Sequence, residues 1–107
     1  MVKELWYNES RILIGENAKE NWEMIDMSSD EIWLHLESFP SCHVIIKEES
    51  PSLETIKYAA CECKKNTKYK RLRDVKVCYT KSSNLELGSE VGSVKYKSKR
   101  QVKRLTV

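Results

Sequence analysis

Two short runs along the chain, "IWLHL" at Ile32–Leu36 and "HVIIK" at His43–Lys47, place apolar side chains at every second position. A period of two belongs to a strand, whose side chains point alternately to opposite faces. With the Pro-containing "SFPSC" between them, the runs predict an antiparallel hairpin over Ile32–Glu37 and His43–Lys47. Setting Glu37 opposite His43 aligns Leu36 with Val44, His35 with Ile45 and Leu34 with Ile46. Ile32, Leu34, Leu36, Val44 and Ile46 then share one apolar face, and Trp33, His35, Glu37, His43 and Lys47 share the other. Both histidines of the chain fall on the same face, beside a tryptophan.

Further elements follow from the same reading. "ELWY" and "RILIG" predict a hairpin closed by "NES". After Gly15, "ENAKENWEMIDM" spaces Ala18, Trp22, Met24 and Ile25 as a short helix would. The clearest helix is "ESPSLETIKYAACECKKN", from Pro51 to about Lys65. Ser50 is placed to cap it, Pro51 suits its first turn, and Leu53, Ile56, Ala60 and Cys63 form its apolar stripe. "DVKVCYT" predicts a strand with Val75, Val77 and Tyr79 on one side and Lys76, Cys78 and Thr80 on the other. A loop "KSSNLELGSEVG", a strand "SVKYK", a turn "SKRQ" and a last strand "VKRLTV" complete the chain. The class predicted is α+β: one domain over residues 1–107, a mostly antiparallel sheet, one main helix and a shorter one.

Length agrees, since 107 residues support one modest core. "MVKELWYNES" has no apolar leader and no stretch reaches membrane length, so the expectation is a cytoplasmic protein without a membrane partner. Four cysteines without a secretory leader predict reduced thiols and no disulfide. Cys61 and Cys63 would point to opposite sides of a helix, Cys42 and Cys78 stand alone, and none has the paired spacing of a structural zinc site. Neither a metal nor a cofactor is expected.

Charge changes the picture more. The net +3 conceals a division: residues 1–54 hold four Lys/Arg against twelve Asp/Glu, or −8, and residues 55–107 hold fifteen against four, or +11. Signs separated this far suggest a surface for a polyanion and an acidic surface on one body.

The two histidines admit three roles: acid–base chemistry, nucleic-acid contact, or ordering of the hairpin turn. Paired-histidine phosphodiester chemistry usually sets a hydroxyl near each imidazole. The neighbours here are "HLE" and "HVI", and no nucleophile–base or paired-carboxylate pattern stands out. The chain is therefore not expected to be an enzyme.

At "GENAKEN" followed by "DEIWLHLESFPSCHVIIK" the sequence resembles the NFACT-R family. That family shows a GxNxxxN element, an acidic–x–W–x–H strand, a Pro-containing turn and a second strand. "YAACECKKN" resembles its Ala-rich helix ending in basic residues, "DVKVCYT" its V-x-V-x-Y-T strand, and "GSEVGSVKY" with "KRLTV" its terminal strands. The likeness covers about Ile12 to Val107 and is nearest to the family's short stand-alone branch. Matching positions are Gly15, Asn17, Asn21, Asp30, Trp33, His35, His43, Lys64, Tyr79 and Thr80. The family's GSH turn reads "SCH", with Ser41 where Gly is frequent and Cys42 where Ser is frequent.

The resemblance implies an RNA-binding module of the kind found in ribosome-associated quality control. The expected function is non-catalytic binding of RNA, transfer or ribosomal. The charges alone do not separate RNA from DNA. Lys64, Lys65, Lys68, Lys70, Arg71 and Arg73, with Lys95 and Lys97, are the residues expected to neutralise phosphates. Trp33, His35 and His43 are expected to stack on or hydrogen-bond to unpaired bases. Two alternatives stand beside this: a protein-interaction module whose acidic half docks a basic partner such as a ribosomal protein, and a small nuclease using His35 and His43.

Overall fold

The structure is a computed structural model describing residues 2–26 and 30–107. In chain order it contains β1 (Lys3–Tyr7), β2 (Ser10–Ile14), α1 (Ala18–Asp26), β3 (Ile32–Leu36), β4 (Val44–Ile46) and α2 (Leu53–Lys65). Then come β5 (Lys76–Lys81), β6 (Leu85–Leu87), β7 (Val94–Tyr96) and β8 (Lys103–Thr106), with single 3-10 turns at Ser82–Asn84 and Lys99–Gln101. Six strands form one antiparallel sheet in the order β1-β2-β4-β3-β5-β8, and β6 pairs with β7 as a separate ribbon. The fold is α+β. No helix among the described residues is long and apolar enough to cross a membrane.

The first hairpin closes more tightly than "NES" suggested. Tyr7 pairs with Ser10, so Asn8 and Glu9 alone make the turn, with Asn8 at φ 55°. Asparagine tolerates that left-handed backbone better than most residues. The β3–β4 register also departs from expectation: Trp33 pairs with Ile45 and Leu34 with Val44, a slip of two residues. The longer connection this creates is held partly by a side chain, because the Leu36 N–H donates to Ser41 Oγ at 3.1 Å. A slip of two preserves parity, so each side chain keeps its expected face.

On one face, Ile32, Leu34, Leu36, Val44 and Ile46 pack with Ile12, Ile14 and Val77 against Ile56, Ala59, Ala60 and Cys63 of α2. Ser52, not Ser50, caps this helix: its Oγ accepts from Thr55 N at 3.2 Å, which leaves Pro51 outside. The buried stripe therefore begins at Thr55 and Ile56, and Leu53 is exposed. The other face was expected to be polar. It is the floor of a second core, where Trp33 and Ile45 meet Leu13, Met24, Ile25 and Leu85 beneath α1 and the β6–β7 ribbon. Strand β6 lies in the stretch expected to be loop; three residues of "LEL" give too short a pattern to separate strand from turn.

Gly92 sets how closely ribbon and helix approach. Its φ is +89°, and a Cβ there would lie 2.7 Å from the Ala18 Cβ of α1. Gly92→Ala is expected to cost at least about 1 kcal/mol from the backbone alone. The urea midpoint should fall, and an unchanged midpoint would show that this contact is slack.

Candidate functional site

The site is built around the backbone of His43. Gly15 N–H donates to His43 O at 3.0 Å, and His43 N–H donates to Asn21 Oδ1 at 3.3 Å. A Cβ on Gly15 would stand 2.1 Å from that same Oδ1, so position 15 admits only glycine while Asn21 keeps this place. Asn17 caps α1 by accepting from Glu20 N at 2.9 Å, and Glu20 accepts from Glu16 N at 3.0 Å. Asn17 and Asn21 lie one helical turn apart, which orients the latter toward β4. The GxNxxxN spacing is thus a device for fixing where His43 sits.

Around it stands an aromatic cluster. The rings of His35 and His43 meet edge to face at 5.1 Å. Trp33 stacks on His35 at 5.6 Å and meets His43 edge-on at 5.3 Å, and Tyr96 closes over Trp33 at 6.0 Å. His35 donates through Nδ1 to Leu36 O at 2.5 Å; the carbonyl can only accept, so a neutral His35 carries its proton on Nδ1 and leaves Nε2 as an acceptor. Burial lowers the pKa of His35. For His43, burial first and the nearby His35 second push it down to about 3. An imidazole that takes up a proton only near pH 3 is no general acid at neutrality.

Trp33 is 1 % exposed and His43 3 %. Both neighbouring imidazoles and Tyr96 crowd the Trp33 ring. Its Nε1, and Nδ1 of His43, are buried without a hydrogen-bond partner.

Two cavities border this cluster. One, of about 720 Å³, lies between Gly15–Ala18 with Asn21, the Pro40–His43 turn, Asn66–Tyr69 and Val91–Gly92. The other, of about 340 Å³, is lined by Trp33, Tyr96 and the β7 side. His35, His43 and Gly92 line both. Phe39 stacks on Tyr69 at 4.3 Å, tying the β3–β4 connection to the segment after α2. Asn66, Thr67, Tyr69 and Gly92 went unnoticed in the sequence; only the glycine pattern of "GSEVG" gave a signal for any of them.

The remaining expected residues divide. Lys68 lines the larger cavity, with Nζ 5.4 Å from the Tyr69 ring centre. Lys65, Lys70, Arg71 and Arg73 are exposed along the same segment. Lys64 is used by the fold, donating to Val107 O at 3.1 Å. Lys95 pairs across the ribbon with Glu86, and Lys97 is exposed just beyond it. Asp30, Tyr79 and Thr80 lie outside the two cavities: Asp30 is half-buried before β3, Tyr79 packs against the α2-side core, and Thr80 Oγ1 donates to Gln101 O at 3.0 Å. Cys42, expected to stand alone, faces Cys63 across the turn, each Sγ 3.7 Å from the other's carbonyl. Among the described residues no three His, Cys, Asp or Glu side chains cluster to hold a metal ion.

An antiparallel sheet with one helix-covered face, a ribbon-covered aromatic face and a cavity that Lys68 lines beside a cationic segment defines a small α+β binding module. The chain belongs to the NFACT protein RNA binding domain family, whose pattern matches residues 3–98. It is 34% identical over 95 residues to the Rqc2 homolog RqcH of Bacillus subtilis (strain 168), covering 85% of this chain and 17% of that protein. The chain thus spans less than a fifth of this curated relative. It is also similar to the solved C-terminal part of the fibronectin/fibrinogen-binding protein of Streptococcus suis, with a TM-score of 0.90 and 26% identity, covering 99% of this chain and 45% of that one.

Proposed function

We propose that this chain is a non-catalytic RNA-binding module, working with transfer or ribosomal RNA in ribosome quality control. The observation that carries this reading is the cavity of about 720 Å³ lined by His35, His43, Asn66 and Lys68, with Glu16 as its one carboxylate, and the exposed Lys70, Arg71 and Arg73 that follow Lys68 along the chain. The family and its likeness to an Rqc2 homolog support RNA as the polyanion. Cations along the segment displace condensed counterions from phosphates, and that term is indifferent to sequence.

The test is a salt titration. Log affinity for a labelled RNA should fall linearly with log salt. Replacing Lys68, Lys70 and Arg71 together with Ala should flatten that slope by roughly two to three units and weaken different sequences alike. A triple variant with the wild-type slope would remove this segment from the interface. Wild-type protein that binds no RNA at low salt would overturn the reading and favour docking of a basic protein on the acidic half.

A further inference from the structure

We infer that the recess beneath Gly92 takes a single unpaired nucleobase, held by His43, Trp33 and His35. This rests on the RNA-binding reading and specifies what the site reads. Three observations lead to it.

The first is the pair of orphan atoms. Buried polar groups nearly always find partners, and each that does not calls for a reason. Trp33 Nε1–H, a donor, and His43 Nδ1 are both buried and unpartnered, and both residues line the cavity of about 340 Å³. His35, which lines the same cavity, has Nδ1 committed to Leu36 O and so contributes an acceptor at Nε2. A donor and acceptors on residues lining one cavity, within an aromatic cluster, match the edge of a base, whose ring carries both.

The second is the distribution of charge. Both histidines are held neutral by burial. Lys68, one of the expected phosphate-binding cations, lines the outer cavity instead. The one charged side chain lining the inner cavity, Glu37, is ion-paired with Arg104, so a phosphate or carboxylate would find no cation among the lining residues, whereas a neutral heteroaromatic ring suits Trp33, His35 and His43. A nucleotide seated base inward would leave its phosphates toward Lys68 and the basic segment.

The third is access. The inner cavity and the larger one have His35, His43 and Gly92 in common, so a group entering from the basic side passes between the imidazoles and the ribbon. The volumes fit, because small-molecule sites commonly run to several hundred Å³.

The experiment uses the intact chain and two labelled RNA hairpins, one fully paired and one carrying a single-nucleotide bulge. Wild-type protein is expected to bind the bulged hairpin about tenfold more tightly, within the range that stacking one base contributes. In a nitrogen-correlated proton spectrum, the indole N–H signal of Trp33 should move with the bulged hairpin and stay still with the paired one, while that of exposed Trp6 is unaffected. His35→Ala should erase the preference while leaving the salt slope as in wild type. His43→Asn, which keeps a polar atom at the δ position, should retain more of the preference than His43→Leu. Equal binding of both hairpins with a static Trp33 signal overturns the base pocket and leaves the RNA-binding reading standing; no binding of either hairpin at low salt overturns both.

Discussion

Lowering the pH from 7 to 4.5 is expected to remove about 3 kcal/mol of folding stability, with His43 as the main cause. Its pKa lies near 6.5 in an unfolded chain and falls to about 3 in the folded one. The unfolded state therefore binds more protons throughout that interval, so stability rises with pH there. The contribution is complete above pH 6.5 and is lost progressively as the pH falls toward 3. Each unit of separation is worth about 1.4 kcal/mol, so two units of acidification below 6.5 cost nearly 3 kcal/mol. The lowered pKa of His35 adds to the loss with the same sign. Among the carboxylates, Glu4 and Glu20 are also lowered, from 4.5, but their losses come at lower pH. The interval from 6.5 to 4.5 therefore isolates the imidazoles. Urea midpoints across it should fall steeply for wild type and much less for His43→Gln. A wild-type midpoint flat over this range would mean that His43 is not buried in its neutral form.

Trp33→Ala should be the most damaging single truncation, costing about 3–5 kcal/mol. The ring fills the centre of the second core, with Leu13, Met24, Ile25, Ile45 and Leu85 around it. Its removal leaves a void that α1 and the ribbon cannot both close on, since Gly92 already sits against Ala18. Domains of this size are commonly stable by only about 5–15 kcal/mol, so much of the total is at stake. Trp6, 59 % exposed on β1, is the control, and its replacement by Ala should stay within about 0.5 kcal/mol of wild type. If both variants unfold at the same urea concentration, Trp33 does not anchor a core. The result also guards the binding experiments: RNA affinity lost in Trp33→Ala reports unfolding and says nothing about stacking.

Alternation made the faces of β3 and β4 legible in the sequence, and those faces survived a wrong register because the slip was even. What alternation does not carry is which face meets water. Trp33, His35, Glu37, His43 and Lys47 looked like a solvated set, yet α1 and a six-residue ribbon cover its centre. Those covering elements have weak patterns of their own, and their role comes from long-range packing. The helix cap was misplaced for a local reason: serine flanks Pro51 on both sides, and either reads as a cap. Only the Ser52 Oγ reaches the N–H of Thr55. The site divided in the same way. Gly15, Asn17, Asn21, His35 and His43 were recognisable as a family pattern, and four of them hold or flank the fifth. The segment Asn66–Tyr69 joins them only because α2 ends where the β3–β4 turn passes.

Strands β1 and β8 are the two margins of the sheet, each with one side that no other strand among the described residues pairs with. Such margins recruit copies of themselves unless something discourages contact. On β8 the discouragement is exposed Lys103, beside Arg104 whose charge is paired with Glu37, so two approaching molecules bring their lysines together first. That protection depends on ionic strength, because salt shortens the range of the repulsion. Concentrated salt therefore lowers the protein's defence against clumping. Light scattering against salt concentration would show the threshold.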